Sequence, residues 1–280
     1  MDDIKFGQGQ VLSALQAQQT PEKLEDTEFK VFSQWGEDGI IQFLTRFVPI
    51  KNKTFVEFGV EDFAESNCRF LLVKDDWRGF VLDGSEAHIR RLRQTPHYAR
   101  HQLDAITAFV TRENINDLLR KSGFEEELGI LSIDIDGNDY HVLQAIDSFK
   151  ASILICEYNA VFGGDRAITV PYDPAFQRTR KHHSNLYFGA SLAAITHLAA
   201  EKGYTLVGTN SNRVNAFFVR NDLMNDVLRG MRARHVYQPS RVRESRDQLG
   251  KLTFLSNEER LRLIRGMPVV NVLTGLEESL

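Results

Sequence analysis

YTLVGTNSNRVNAFFVR, residues 204–220, carries two strand-like runs, YTLVG and NAFFVR, around the turn-rich TNSNRV. No helix-length segment separates them, so they form an antiparallel hairpin; parallel neighbours would need a crossover of a dozen or more residues. Upstream, from Thr54, strand and helix patterns alternate. FVEF is followed by a helix over 66–73, GFVLD by a helix over 86–93, and HYARHQLD by one over 113–120. LGILSIDID then precedes a helix over 138–146, and ASILICEY is separated from the hairpin by a helix over 192–201. Five strands joined by helices specify a parallel, doubly wound sheet with helices on both faces and right-handed crossovers. The expected fold is therefore α/β, with a seven-stranded sheet ending in an antiparallel hairpin.

Outside this block the patterns change. Residues 1–31 are polar and Gln-rich, punctuated by Thr20-Pro21, and read as an N-terminal arm. FSQWGEDGIIQFLTRFV opens the catalytic domain, 32–221; Ile40, Phe43, Leu44 and Phe47 recur at helical spacing with Ser33 as a cap, predicting a helix across the sheet. Residues 158–189, rich in Gly, Pro, Arg and His without periodicity, read as a lid insertion. Residues 222–280 read as a C-terminal helical extension, with basic RGMRARH and RVRESR and the capped SNEERLRLI, that docks on the core or on a second subunit in a homo-oligomer.

The 280-residue chain has a formal net charge of −4, with 26% charged and 42% hydrophobic residues. That balance excludes a wholly disordered chain and a dedicated nucleic-acid coat, so no nucleic-acid partner is expected. Two cysteines, Cys68 and Cys156, build neither a disulfide framework nor a zinc ribbon within one chain. The start, MDDIKFGQGQ, lacks a basic region followed by an apolar one, and no apolar run approaches about 18 residues. A soluble cytoplasmic protein without membrane partners is the expectation.

Carboxylates end three of the strands, where ligands of open α/β sheets sit. Glu57 can hold a cationic amino group or orient its loop, and Gly59 lets backbone approach a ligand; equally, Glu57 caps a helix and Gly59 only turns the chain. One glycine where dinucleotide binders have three disfavours pyrophosphate. Asp83, backed by Gly84 and Ser85, reads as the ligand of a ribose diol, with helix capping as the alternative or an additional role. Asp104 can accept from an adenine amino group or be an ordinary exposed Asp. Asp134 and Asp136 share a strand face if β structure continues that far, and neighbouring acids call for a cation. With Glu157 and Asn159 from the next strand end, Asp136 completes an oxygen-ligand set suited to Mg²⁺ or another divalent ion. Without metal, Asp136 is a general base or a hydroxyl acceptor. Asp139 belongs to the first turn of the next helix. His182 and His183 are candidate bases, Arg178 and Arg180 candidate anion ligands, and Tyr187 an acceptor contact or a core anchor; the basic run, Lys181 included, is otherwise a solvated loop.

The FVEFGVED loop, the VLDGS strand end, the IDIDGNDYHVL block, ICEYN and the upstream SQWGEDGI together resemble the FkbM-like branch of class I S-adenosylmethionine-dependent methyltransferases, over roughly 32–220. The resemblance implies a Rossmann-like fold, S-adenosylmethionine as cofactor, contacts to it from Glu57, Gly59 and Asp83, and Asp136 facing the transferred methyl group; Asp134 is a further candidate contact to the cofactor. It also implies a sugar or natural-product hydroxyl, on a small molecule or glycan, as acceptor. Asp136, Glu157 and Asn159 are similar in placement to the metal site of catechol-type O-methyltransferases. The first loop departs from the fuller glycine pattern of many methyltransferases, and IDGND stands where many relatives have an acid followed by Glu-Gly. Two alternatives remain: a metal-dependent glycosyltransferase using the Asp134-x-Asp136 motif, and a non-catalytic nucleoside-binding module.

Overall fold

The computed structural model describes residues 2–280. Its strands are β1 (Thr54–Phe58), β2 (Arg78–Asp83), β3 (Leu103–Thr107), β4 (Glu127–Ile133), β5 (Lys150–Glu157), β6 (Ile168–Thr169), β7 (Tyr204–Thr209), β8 (Asn215–Arg220), β9 (Pro268–Asn271) and β10 (Glu277–Ser279). Seven of them form one sheet in the order β3-β2-β1-β4-β5-β8-β7. β1 to β5 pair in parallel, while β8 runs antiparallel between β5 and β7. This is the doubly wound sheet with a terminal hairpin that the alternation predicts. Asn210 closes the hairpin: its Oδ1 accepts from the N–H groups of Val214 and Asn215 at 2.9 and 3.2 Å.

ELGILSI and KASILICE are buried almost end to end, as strands covered on both faces must be. Successive side chains feed opposite cores. Val56 and Phe58 pack with the helices Ile115–Lys121, Asp139–Ala145 and Leu192–Glu201 on one face. Phe55 packs with Glu37–Phe47, Arg69–Asp75 and Glu86–Arg93 on the other. Strand order reverses between β1 and β4, because β2 and β3 lie to one side of β1 and β5 to the other. A crevice opens at such a switch point beyond the carboxyl ends of the strands.

The flanking segments are docked. The helix Asp2–Gln16 in the arm bonds through Ser13 to Gln42 and through Gln16 to the Gly39 carbonyl, at 3.0 and 2.8 Å. Ser33 caps the next helix from a distance, its Oγ accepting from the N–H of Asp38 at 3.1 Å. The C-terminal extension contains the helix Asn257–Leu263 with its Ser256/Glu259 capping box, but it is not purely helical. Gly266 and Pro268 stop helix propagation, and PVVN becomes β9, which pairs with β10 and with β6 from the expected lid. Phe162, Ile168, Val170, Phe176, Tyr187 and Phe188 share a small core with Ile264 and Val269. The 158–189 insertion is thus anchored to the extension. Among the described residues, no helix is long and apolar enough to cross a membrane.

Candidate active site

At the end of β1, Glu57 is buried and its carboxylate is fully engaged. Oε1 accepts from the Asn67 N–H at 2.8 Å, and Oε2 accepts from the Ser66 hydroxyl and the Cys68 N–H at 2.8 and 3.1 Å. Burial pushes its pKa up, while these donors pull it down. Glu57 therefore orients its loop and caps the chain entering the helix Arg69–Asp75. Gly59, at φ 72°, lies against β4: a Cβ there would stand 1.7 Å from the Asp134 carbonyl oxygen. Its missing side chain serves the contact between two strand ends. Glu61 and Phe63 in the same loop have φ of 47° and 63°, conformations that non-glycine residues hold only when their surroundings impose them.

Asp83 stands at the tip of β2. Its Oδ2 accepts from the Glu61 N–H and its Oδ1 from the Ser85 N–H, both at 2.8 Å, with His88 Nδ1 3.1 Å from Oδ1. Each carboxylate oxygen offers a further lone pair, so a ribose contact is compatible with these bonds. Ser85, not Asp83, caps the helix Glu86–Arg93. Asp104 does not reach this end: it pairs opposite Phe80, short of the tip, and is exposed. The strand register removes it from any adenine contact. Phe109 takes the place the sequence reading missed. It is 47% exposed and approaches Gly84 to 3.5 Å of where a Cβ would be. An aromatic face beside Asp83 suits base stacking. Its signal in the sequence was a large aromatic just past the third strand.

The acids beyond β4 and β5 are arranged differently. Carboxylate oxygens of Asp134, Asp136 and Glu157 lie within 4.8 Å of one another. Burial raises the pKa of both Asp134 and Glu157 well above the usual carboxylate range, with Asp136 and Asp139 adding to it; Asp134 raises Glu157 further, while a hydrogen bond from Glu157 pulls Asp134 partly back. Glu157 is buried, and its Oε2 has no hydrogen-bond partner. Such a pair holds a shared proton or a cation. β4 stops at Ile133, so alternation along a strand does not explain the grouping; Asp136 joins it through a left-handed backbone at φ 56°. Asp139 clasps that turn. Its Oδ1 accepts from the Ile135 N–H at 2.8 Å and its Oδ2 from the Gly137 N–H at 2.9 Å, with burial raising its pKa to about 6.

Asn159 does not belong to this group of oxygens. Its Nδ2 donates to the Leu186 and Phe188 carbonyls at 2.8 and 3.0 Å, and its Oδ1 accepts from the Val161 N–H at 3.0 Å. The amide staples the insertion in place, and Asp134 stands where Asn159 was expected as a third oxygen donor. Three carboxylates from two strand ends suit a hard divalent cation such as Mg²⁺.

Arg178 brings the insertion to the acids: Nη1 donates to Asp136 Oδ1 and Nε to the Asn185 carbonyl, both at 2.6 Å, and the guanidinium lies 3.9 Å over Phe188. Arg180 is exposed. Lys181 pairs with Asp173 at 2.6 Å. His182 Nδ1 is 2.7 Å from Ser184 Oγ, its ring lies 4.3 Å from that of His183, and burial together with His183 lowers its pKa. No hydrogen bond among the described residues joins either histidine to Asp134, Asp136 or Glu157. Tyr187 is buried, with its hydroxyl donating to the Pro268 carbonyl. It anchors the insertion and does not present itself to an acceptor.

No family model matches the sequence, and no curated protein does. Solved structures do match. A putative caffeoyl-CoA O-methyltransferase from Staphylococcus aureus is 16% identical, with 76% of this chain and 99% of that chain covered at a TM-score of 0.43. An S-adenosylmethionine-dependent methyltransferase from Clostridium acetobutylicum is 9% identical, with 66% and 90% covered at 0.43. The N-terminal domain of EvdMO1 with SAH bound is 9% identical, with 65% and 79% covered at 0.40. At these TM-scores the likenesses carry no functional argument.

Proposed function

We propose that the protein is an S-adenosylmethionine-dependent methyltransferase acting on a hydroxyl oxygen of a small-molecule or glycan acceptor. The observation that supports this most is the pairing of half-buried Asp134 with buried Glu157, one of whose oxygens lacks any partner, on the same carboxyl edge of the sheet as Asp83 and Phe109. In this reading Asp83 accepts from the ribose hydroxyls and Phe109 covers the base. Aligning a hydroxyl with the methyl carbon supplies about 7 to 11 kcal/mol of the required acceleration. The acceptor oxygen forms its bond to that carbon as the carbon–sulfur bond breaks, with the electron pair remaining on sulfur. The ionised member of the Asp134–Glu157 pair accepts the hydroxyl proton. Arg178 holds Asp136 beside them.

Asp134, Asp136 and Glu157 would hold a divalent cation, and their clustered charge and unpartnered oxygen fit one. When bound, the cation supplies Lewis acidity that lowers the pKa of the acceptor hydroxyl.

Calorimetry with S-adenosylmethionine, with and without Mg²⁺, tests the reading. Binding is expected, and Asp83→Ala should weaken it at least about tenfold through loss of a charge-assisted contact. Absence of binding sinks the proposal. Binding of nucleotide sugars instead would favour a glycosyltransferase built on Asp134 and Asp136. Tight cofactor binding with no transfer to any hydroxyl would favour a binding module.

A further inference from the structure

A recess of about 470 Å³ lies between the β7–β8 turn and the C-terminal extension. Trp35 forms one wall, Asn212 of the β7–β8 turn another, and the extension segment 241–254 the rest, contributing Arg241, Arg243 and Arg246 against a single Glu244. Arg246 is paired with that Glu244 at 3.3 Å. Arg243 donates to the Phe254 carbonyl through one nitrogen. Arg241 is exposed, and no side-chain hydrogen bond or ion pair engages it among the described residues. The lining therefore carries more cationic charge than the protein itself neutralises.

Two further observations connect this recess to the reaction. The Trp35 wall is tied to the acids through the sheet: the Trp35 backbone N–H donates to Glu37 at 2.9 Å, Glu37 accepts from the Asn215 side chain at 3.0 Å, and Asn215 pairs opposite Glu157. Glu37 also accepts from the side chain of Asn210, which closes the hairpin. Phe254, on the opposite side, is 53% exposed and holds φ 50°. A bulky aromatic with positive φ is a backbone outlier, and such outliers gather at ligand sites.

Charge then orders what can bind. Asp134, Asp136 and Glu157 repel an anion at the reacting end, while the arginines attract one at the far end. Resting on the methyltransferase reading above, we infer that the acceptor is a bipartite molecule whose hydroxyl meets the acids and whose phosphate or carboxylate group is bound by Arg241 and Arg243, between Trp35 and Phe254. Arginine suits either anion because its planar fork matches both. The C-terminal extension is then the part of the chain that selects the substrate.

The test uses the full-length protein in metal-free, low-salt buffer, titrated calorimetrically with inorganic pyrophosphate, with malonate, and separately with S-adenosylmethionine. Support is saturable binding of pyrophosphate or malonate that weakens about tenfold in Arg241→Ala and is lost in Arg241→Glu, with cofactor affinity unchanged in both variants. Preference for pyrophosphate marks a phosphorylated acceptor, and preference for malonate a carboxylated one. Cofactor binding with neither anion bound, or with anion binding indifferent to Arg241→Glu, overturns the inference and leaves the methyltransferase reading standing. Anion binding without cofactor binding overturns both. Arg241 is exposed and structurally unengaged, so its variants should retain the wild-type melting temperature.

Discussion

Glu57 and Glu157 end neighbouring sheet regions, are both buried, and have opposite surroundings. Glu57 receives three donors from its own loop. Glu157 faces two other carboxylates, and one of its oxygens has no partner. Residue type and place at the sheet end are shared, so neither distinguishes a structural acid from a reactive one. What distinguishes them is whether the fold satisfies the charge: the satisfied acid holds the fold together, and the unsatisfied one is held ready for a proton or a cation.

The sharpest way to break this contrast is to truncate the satisfied acid. Glu57→Ala strands the Ser66 hydroxyl and two backbone N–H groups in the interior. It should cost about 5 kcal/mol of stability, at 1 to 3 kcal/mol for each buried donor left unpaired, read by chemical denaturation. A loss under about 1 kcal/mol would show that the loop does not depend on it. The converse substitution is Glu157→Gln, which removes repulsion. It should leave the melting temperature equal or higher, while methyl transfer falls about a thousandfold, near 4 kcal/mol in activation free energy. Lower stability together with retained turnover would place Glu157 among the structural acids.

Asp38 sharpens the comparison through pH. It accepts from the N–H groups of Val31, Phe32 and Ser33, yet burial lifts its pKa to about 6. Its folded value lies above the unfolded one, so its contribution to stability is fully present below about pH 4 and is lost as pH rises through 6. Wild type should therefore gain on Asp38→Asn by about 3 kcal/mol between pH 7 and pH 4, measured as paired unfolding curves. A difference that is flat across this window would contradict the shift. The smallest effect is expected at Tyr187→Phe: about 1 kcal/mol of stability from one hydrogen bond, with acceptor KM unchanged. A raised KM at unchanged stability would return Tyr187 to the acceptor site.

The parts of the site legible in the sequence were those set by local patterns. Acids at the ends of apolar runs do end the strands: Asp83, Asp134, Asp136 and Glu157 all lie at strand ends or just beyond them. Asp104 misled because a strand boundary placed a few residues off moves a side chain away from the tip. Asn159 and Tyr187 misled for another reason. Polar side chains in an irregular segment look available until the bonds that hold the segment in place are known. β6, β9 and β10 escaped notice because each is short and because the little sheet forms only when β6 meets the sequence-distant β9.

Sequence alone determined the layered α/β architecture, since periodicity, turn residues and crossover length are local properties of the chain. It also determined which strand ends carry carboxylates. Tertiary structure decided which of those carboxylates are satisfied, that Arg178 reaches Asp136, and that the extension lines a recess beside Trp35. The reason is physical: hydrogen-bond saturation and desolvation depend on what lies within a few ångströms in space, and the chain brings those groups together from distant positions.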